Sequence, residues 1–432
     1  MSFQKQIGQS LIWRGLYFIT VLVMNVFLAR YFEAGHAGWI FYLLNNFSLI
    51  VILAGLTMET SVNYYSAKRG IADNQLAWFS VVWTLFISVV VFIALWFYFG
   101  SYKNTTAITR TEYLFYATSY IAGIQLTNFF CSLFYANKNF FLPNFLMVIL
   151  NLFVILIIPK QEGTENTNTS LIIKLYFAFF IVTGITLAVA FIIKTRSWKK
   201  IAIPVFFDLR LLLKYALVAL AANVIFFLVY RVDYWFVKKY CTPQELGNYI
   251  QVSKLGQMLL IIPSIISSVV FPHIAGGVTG LAEMKDNIMR IGRLTTMLYL
   301  ICFMMFALAG SWAFPFIFGP TFQLMYLPFL FLLPGIWALS NLYILSAYFG
   351  GINKVRVNVQ GAGLGLLVIL AGDYFFIPHY GMIAAAIVST VGYFVNFIYS
   401  FVIFKQEHPV SFTEYWRINI KDFQWLKSIV RK

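Results

Sequence analysis

Charged residues are scarce in this sequence. Only 11% of the 432 residues are Asp, Glu, Lys or Arg, whereas soluble domains carry about 25%. Hydrophobic residues make up 61% of the chain, and its mean hydropathy is +0.81. So few charges cannot cover the surface of a soluble protein of this length. Soluble classes are therefore excluded, and the composition indicates an integral membrane protein.

Cysteine and histidine are also rare, with three Cys and four His in the whole chain. The cysteines are Cys131, Cys241 and Cys302, and neither they nor the histidines have the short spacing of a metal motif. We therefore expect no disulfide, no metal site and no cofactor. H⁺ or Na⁺ could still serve as a coupling ion.

Acidic residues are half as common as basic ones, 15 Asp and Glu against 31 Lys and Arg, which gives a net charge of +16. A strongly basic soluble protein would suggest nucleic acid as a partner. In a membrane protein, basic loops set the orientation and contact anionic lipid. We therefore expect membrane lipids, and no nucleic acid, as partners.

Long apolar runs, by contrast, are abundant. They are unbroken over roughly 20 residues, which favours helices over the shorter alternating strands of a barrel. Lys and Arg are concentrated in alternate connections, which predicts that both termini are cytoplasmic (N-in/C-in). Hydropathy predicts about twelve transmembrane helices, near 11–29, 37–58, 76–99, 113–135, 140–158, 171–193, 211–230, 247–271, 294–314, 324–348, 357–377 and 381–404.

Similar segments occur in the two halves of the chain. ARYFEAGHAGWIFYLL (29–44) and KKYCTPQELGNYIQVS (238–253) each join the end of one span to the start of the next. A second, weaker similarity links ANKN (136–139) with INKV (352–355). In the first pair of segments, Tyr31 aligns with Tyr240 and Gly38 aligns with Gly247, both at the same offset along the chain.

These similarities predict two six-helix lobes that enclose a central cavity. Because six is an even number of spans, the second lobe enters the membrane in the same direction as the first. We predict an N-terminal lobe at 1–200, a C-terminal lobe at 201–404 and an amphipathic basic cytoplasmic tail at 405–432. In the tail, Ser411 and Glu414 form a capping-box pattern, and we expect either an interfacial helix on the inner leaflet or a segment docked on the loops.

The ordered motifs resemble those of the polysaccharide flippases (Wzx type) of the multidrug/oligosaccharidyl-lipid/polysaccharide exporter superfamily. Residues 29–44 resemble the first-loop pattern of that family, and residues 231–275 resemble its seventh and eighth helices. FPFIFGPTF (314–322) and residues 348–395 resemble its later connections. The resemblance covers nearly the whole chain. Departures are Asp373, where Asn or an apolar residue is expected, Met382–Ile383, and the absence of an early Pro from the seventh span.

The resemblance implies a transporter and not an enzyme. Its implied function is to move a lipid-diphosphate-linked oligosaccharide from the cytoplasmic to the outer leaflet of the bacterial inner membrane by alternating access. The implied substrate is a polyprenyl-diphosphate-linked oligosaccharide for surface polysaccharide (O-antigen) biosynthesis. Other polysaccharide assembly proteins are further expected partners.

Two other functions stay open at this point. One is a multidrug or organic-cation antiporter of the same superfamily, and the other is a membrane-embedded polysaccharide polymerase or acyltransferase. A cation exporter would favour acidic groups in its cavity, but the charges inside the spans lean basic. A polymerase would be expected to carry Arg and His in a long external loop, and the connection 159–170 has neither.

Arg14 and Lys254 are the candidate ligands of the substrate diphosphate, because ionisable residues inside spans are functional candidates by default. Arg14 lies on the first span, where it could equally extend to the inner interface. Lys254 lies in the eighth span between Gln251 and Gln257, and it could instead pair with a buried acid.

Four further residues are candidates for ion coupling or for an interhelical pair: Asp233, Arg231, Glu59 and Asp373. Residues two apart on a helix do not face each other, so Asp233 is not expected to pair with Arg231. Its expected partners on other helices are Lys254 and Arg14. Glu59 follows the second span and could simply be a solvated helix end.

Overall fold

A computed structural model of the chain describes residues 3–100, 109–157, 167–199, 201–202, 204, 206–275, 281–417 and 422. Within these residues the regular structure is helical and contains no strand. The prediction of an all-α membrane protein is confirmed. The α-helices are α1 (Phe3–Gly55), α2 (Met58–Ala67), α3 (Asp73–Gly100), α4 (Arg110–Ala136), α5 (Phe141–Ile157), α6 (Thr167–Thr195), α7 (Phe206–Arg231), α8 (Asp233–Tyr240), α9 (Pro243–Leu259), α10 (Ile261–Ala275), α11 (Leu281–Phe318), α12 (Tyr326–Gly351) and α13 (Val355–Glu407).

Eight segments of the described chain are long and apolar enough to cross a membrane. Two of them, Ile12–Gly55 and Val355–Glu407, are far longer than the roughly 20 residues of one crossing. Each contains one residue outside helical geometry, Glu33 (φ 55°) in α1 and Gly381 (φ 60°) in α13. When the two long segments are divided at these residues, and when α4 and α5 are counted as well, the structure accommodates the twelve predicted spans.

The chain forms two compact units. Unit 1 comprises Met1–Glu33 and Ile40–Val224, and unit 2 comprises Ala34–Trp39 and Ile225–Lys432. Their division falls within α7, and the start of the second span belongs to unit 2. The predicted lobes, their central cavity and the N-in/C-in orientation stay predictions.

Unit 1 is held together by close helix crossings. A Cβ added to Gly123 of α4 would lie 2.2 Å from the Phe180 carbonyl carbon of α6, and one added to Gly184 of α6 would lie 2.6 Å from the Gly123 oxygen. Small residues allow backbones to approach in this way inside a membrane. Around the crossing, the core is aromatic, with Phe129, Phe130 and Phe191 all buried.

The ANKN and INKV segments form the same turn at the ends of α4 and α12. In each, one residue adopts a left-handed conformation, Lys138 (φ 57°) and Asn353 (φ 62°). The next amide, that of Asn139 or Lys354, donates to a carbonyl five residues earlier, as in the Schellman motif. The geometry therefore aligns Lys138 with Asn353, one residue away from the alignment of the letters.

The beginning of the predicted C-terminal tail is docked on unit 2. The Ser411–Glu414 capping box is present and starts a short 3₁₀ helix, Phe412–Trp416. The Phe412 ring lies 5.7 Å from the Phe401 ring and 6.3 Å from the Trp337 ring. These residues are docked on helices of unit 2, and the predicted amphipathic tail stays a prediction. Residues 418–421 and 423–432, on which most of the amphipathic pattern falls, lie outside the described residues.

Asp422 adds an ionic contact with α11. Arg293 donates from Nε and Nη2 to the two Asp422 oxygens at 2.8 and 2.7 Å, and Asp422 is 1% exposed.

We expect Asp422→Ala to lower the free energy of unfolding by about 1.5–3 kcal/mol, because it leaves a half-buried guanidinium without its acceptor. Thermal unfolding of the purified protein measures the loss. Lys354→Ala, which breaks the more exposed Lys354–Glu407 pair, should cost no more than about 1 kcal/mol, and equal losses in both variants would contradict the prediction.

A buried carboxylate pair as the candidate functional site

An interruption between α7 and α8 positions Asp233. The helix α7 ends at Arg231, and Asp233 is the first residue of α8. The Val232 amide still donates to Leu228 O at 2.9 Å, while the Trp235 amide donates to Val232 O at 3.2 Å. Because the N-terminal turn of a helix stabilises negative charge, this position favours a carboxylate that is only 2% exposed.

Hydroxyl groups from two other helices bind the Asp233 carboxylate. Its Oδ2 accepts a hydrogen bond from Tyr249 Oη of α9 and another, at 3.1 Å, from Ser389 Oγ of α13. The two hydroxyl oxygens lie 3.5 Å apart. Among the described residues, Oδ1 has no hydrogen-bond partner. Hydroxyl groups of two other helices therefore fix one oxygen of this buried acid.

Asp373 of α13 is the second acid of the site. It is fully buried, and neither of its carboxylate oxygens has a hydrogen-bond partner within the described chain. It interacts electrostatically with Asp233, and Tyr393 interacts with both acids. Two carboxylates in a low-dielectric interior cannot both stay charged without a compensating group. The pair is therefore suited to hold a proton or a small cation.

The structure changes the expected partners of Asp233. Lys254 and Arg14 were expected, but the hydrogen bonds to Asp233 that the structure defines come from Tyr249 and Ser389. None of the four salt bridges among the described residues involves Asp233 or Asp373. The bonds do cross between helices, as the interhelical prediction required, but their donors are neutral. Ion coupling by Asp233 and Asp373 stays a prediction.

Arg231 and Lys254 form the basic part of unit 2. Both side chains are half-buried, and they interact electrostatically with each other. The Arg231 guanidinium carbon lies 5.6 Å from the centre of the Phe227 ring. On α9, the neighbouring Gln251 is 2% exposed, and its Oε1 has no partner among the described residues. Unit 2 thus contains two neighbouring basic side chains and an amide whose oxygen has no hydrogen-bond partner among the described residues.

Arg14 and Glu59 lie in unit 1 and belong to separate surroundings. Arg14 is exposed, and its guanidinium carbon lies 4.5 Å from the centre of the Tyr135 ring. The Tyr135 hydroxyl donates to Asn144 Oδ1 at 3.1 Å. Glu59 is half-buried in the first turn of α2, so it is not the fully solvated helix end considered above. Their roles in binding and coupling stay predictions.

Sequence reasoning missed the groups that complete the site, namely Tyr249, Ser389 and Tyr393. Ser389 and Tyr393 are four apart on α13 and therefore share one face of the helix. Tyr249 belongs to the Gly–Asn–Tyr segment of the internal similarity. Polar groups at helical spacing within the twelfth span were the available signal, and they could have identified this face.

Comparison with known proteins gives no match to a family model and none to a curated protein. Solved structures do match. The lipid II flippase MurJ in an inward closed conformation has a TM-score of 0.71 at 14% identity, over 97% of this chain and 92% of that one. A multidrug resistance MATE family transporter of the MOP superfamily, in an inward-facing conformation, has a TM-score of 0.66 at 14% identity, over 94% and 95%.

A third match is a MOP superfamily transporter from Pyrococcus furiosus, with a TM-score of 0.61 at 14% identity over 93% of this chain and 95% of that one. The chain has the fold of MOP superfamily transporters. These three solved proteins are described as a lipid II flippase and two transporters. Identity of 14% establishes the fold alone, so the Wzx type and the substrate are addressed below as proposals.

Proposed function

We propose that the protein is a cation-coupled flippase for a polyprenyl-diphosphate-linked oligosaccharide. It would move this lipid from the cytoplasmic to the outer leaflet of the bacterial inner membrane by alternating access, for surface polysaccharide biosynthesis. The observation that carries the proposal is that unit 2 contains two neighbouring basic side chains, Arg231 and Lys254, and a buried pair of carboxylates. The MurJ-like fold supports the same class of transporter.

Arg231 and Lys254 suit an anionic head group. Two neighbouring cations in a membrane-embedded segment repel each other, and a diphosphate placed between them would remove that repulsion. Arg forms a planar fork that binds phosphate oxygens, and Lys supplies a compact charge. The unoccupied Oε1 of Gln251 could accept a hydrogen bond from a sugar hydroxyl. These groups bind the head group, while the polyprenyl chain would remain in the lipid.

The carboxylate pair supplies the coupling. A proton or Na⁺ bound between Asp233 and Asp373 neutralises their repulsion, and its release restores it. The two states of the pair therefore differ in how strongly they hold α8 and α13 together. A cation gradient drives binding to the pair on one side of the membrane and release on the other. The gradient can therefore shift the equilibrium between the cation-bound and cation-free states of the transporter.

A multidrug antiporter is the second candidate, favoured by the MATE family likeness and by the acidic pair. However, Asp233 is 2% exposed and Asp373 is fully buried. Carboxylates so deeply packed between helices suit a proton or a bare ion better than a bulky organic cation. Among the exposed and half-buried candidates, Arg14, Arg231 and Lys254 are basic and Glu59 is acidic, and this basic excess suits an anionic substrate.

Loss of the gene in its native bacterium tests the proposal. We expect a lipid-linked repeat unit to accumulate in the cytoplasmic leaflet and surface glycan to decrease. Both changes should be reversed when the wild-type chain is expressed from a plasmid. Normal surface glycan without accumulation of the lipid intermediate would contradict a flippase, and drug sensitivity as the main change would favour the antiporter.

Lys254→Ala should reduce substrate transport at unchanged expression. Removal of a charge-assisted bond worth about 1.5–3 kcal/mol corresponds to roughly a 10- to 100-fold lower rate. Lys254→Arg keeps the charge and should retain a measurable part of the activity. Complementation of the deletion strain measures both variants. Lys239→Ala, at an exposed position over the Tyr240 ring, is the control, and full activity of Lys254→Ala would exclude Lys254 from the head-group site.

A further inference from the structure

The second span is broken near its end, within unit 1. Helix α1 ends at Gly55 and α2 begins at Met58. Between them, Leu56 (φ 54°) and Thr57 (φ 50°) are both left-handed. Such residues cost about 1–3 kcal/mol each when they are not glycine, and they persist only where the surroundings fix them. In transporters, the unwound carbonyls of broken helices coordinate ions.

Three hydrogen bonds fix the break in place. Trp83 Nε1 of α3 donates to Gly55 O at 3.2 Å. Thr57 Oγ1 donates to Ala216 O at 3.3 Å, and Ser61 Oγ donates to Leu212 O at 2.7 Å. The last two bonds tie α2 to α7. The break is therefore specified by side chains on several helices and is not a frayed helix end.

Gln125 of α4 is packed against this break. Its side chain is 4% exposed, and neither Nε2 nor Oε1 has a hydrogen-bond partner among the described residues. A Cβ added to Gly55 would lie 2.5 Å from Gln125 Nε2, so glycine is what allows the amide to occupy this place. An unpaired buried amide costs about 1–3 kcal/mol. A ligand at the break would remove that cost, and rotation of the amide presents its oxygen instead of its nitrogen.

The electrostatics of the break select a cation. The carboxyl end of α1 carries partial negative charge, and the positive amino end of α2 already has the acidic Glu59 in its first turn. Glu59 follows two residues after Thr57, half-buried, and takes part in none of the salt bridges found within the described chain. Oxygen atoms are the preferred ligands of hard cations. Gln125 Oε1, the terminal carbonyls of α1 and the Glu59 carboxylate supply them.

We propose that the break between α1 and α2 is a binding site for a monovalent cation, with Na⁺ as the probe. Gln125 and Glu59 are its side-chain ligands. The site lies in unit 1 and shares no residue with the Asp233–Asp373 pair of unit 2. It therefore stands or fails independently of the proposed coupling site.

Binding of radioactive ²²Na⁺ to the purified full-length protein in nanodiscs tests this site. Gln125→Leu should lose the sodium bound at the break, which is about half of the total if the Asp233–Asp373 pair of the proposed function also holds Na⁺. Asp233→Asn combined with Asp373→Asn should lose any sodium held by that pair and leave the Gln125-dependent binding intact. Glu59→Gln preserves the shape of the side chain and should weaken the Gln125-dependent sodium binding at least about tenfold, an effect of some 1.4 kcal/mol.

Asn341→Leu is the matched control, because Asn341 is a 1% exposed amide of unit 2 whose Oδ1 also lacks a partner among the described residues. It should bind sodium as the wild type does. If Gln125→Leu does not fold, Glu59→Gln alone decides the outcome. Wild-type levels of sodium binding in the folded variants, or no sodium binding by the wild type, would overturn the proposal.

Discussion

Asp373→Asn is expected to abolish cation-coupled transport while the protein still folds. The substitution keeps the shape of a fully buried side chain but removes one charge from the pair, so a cation loses half of its compensating field. Breaking a buried ionic interaction costs about 3–5 kcal/mol, which corresponds to at least about 100-fold in rate. Transport in proteoliposomes, with and without an imposed Na⁺ or H⁺ gradient, measures the effect.

Asp233→Asn should give the same loss, since Tyr249 and Ser389 hold only one oxygen of that carboxylate. Asp286→Asn is the control, because that acid has a side chain 59% exposed and should transport normally. The uncoupled flux at equal cation concentrations on both sides should change little in the Asp373 variant. Gradient-driven transport by Asp373→Asn at the wild-type rate would remove the pair from the coupling mechanism.

Gly247→Ala is expected to have the largest effect on folding. A Cβ on Gly247 would lie 1.8 Å from the carbonyl oxygen of Ala34, and one on Gly38 would lie 2.6 Å from Gly247 Cα. Both obstacles are backbone atoms, which cannot rotate away. Overpacking lowers the free energy of unfolding by about 1–3 kcal/mol where side chains can adapt. We expect Gly247→Ala to lower it by at least the upper end of that range. Thermal stability, followed by size-exclusion chromatography of the detergent-solubilised protein, measures it.

Gly363→Ala is the matched control for that variant. Gly363 also lies in a long apolar helix, but an added Cβ would meet no atom within 4 Å. Alanine is a better helix former than glycine by about 1 kcal/mol, so this control should be neutral or slightly stabilising. If Gly247→Ala matched Gly363→Ala in stability, the close contact between the start of the second span and α9 would not exist in the folded protein.

The internal similarity illustrates what a sequence can and cannot predict. Alignment identified Gly38 and Gly247 as equivalent positions, each at the start of a predicted span. The structure places them in direct contact within unit 2. Equivalence in a repeat carries no information about proximity, because proximity depends on how distant helices pack. The helical class was predictable, because the low charge content and the long apolar runs decide it in a membrane protein.

The candidate site was predictable only in part, for a similar reason. Asp233 and Asp373 stand out because ionisable residues in spans are rare. Their partners, Tyr249 and Ser389, are common residues in such helices, and no local pattern brings together α8, α9 and α13. The helix break at Leu56–Thr57 was not predicted either, since neither residue favours the left-handed conformation. Contacts with Trp83 and Ala216, distant in sequence, impose it.

The most direct measurement of the central claim is flipping of a polyprenyl-diphosphate oligosaccharide by the purified protein in proteoliposomes. Accessibility of the sugar to an added, membrane-impermeant modifying reagent reports which leaflet holds the lipid. We predict that a Na⁺ or H⁺ gradient accelerates its transfer and that Asp373→Asn loses this acceleration. The account would be contradicted if the protein transferred the lipid no faster than protein-free vesicles do and instead exported organic cations when a gradient was imposed.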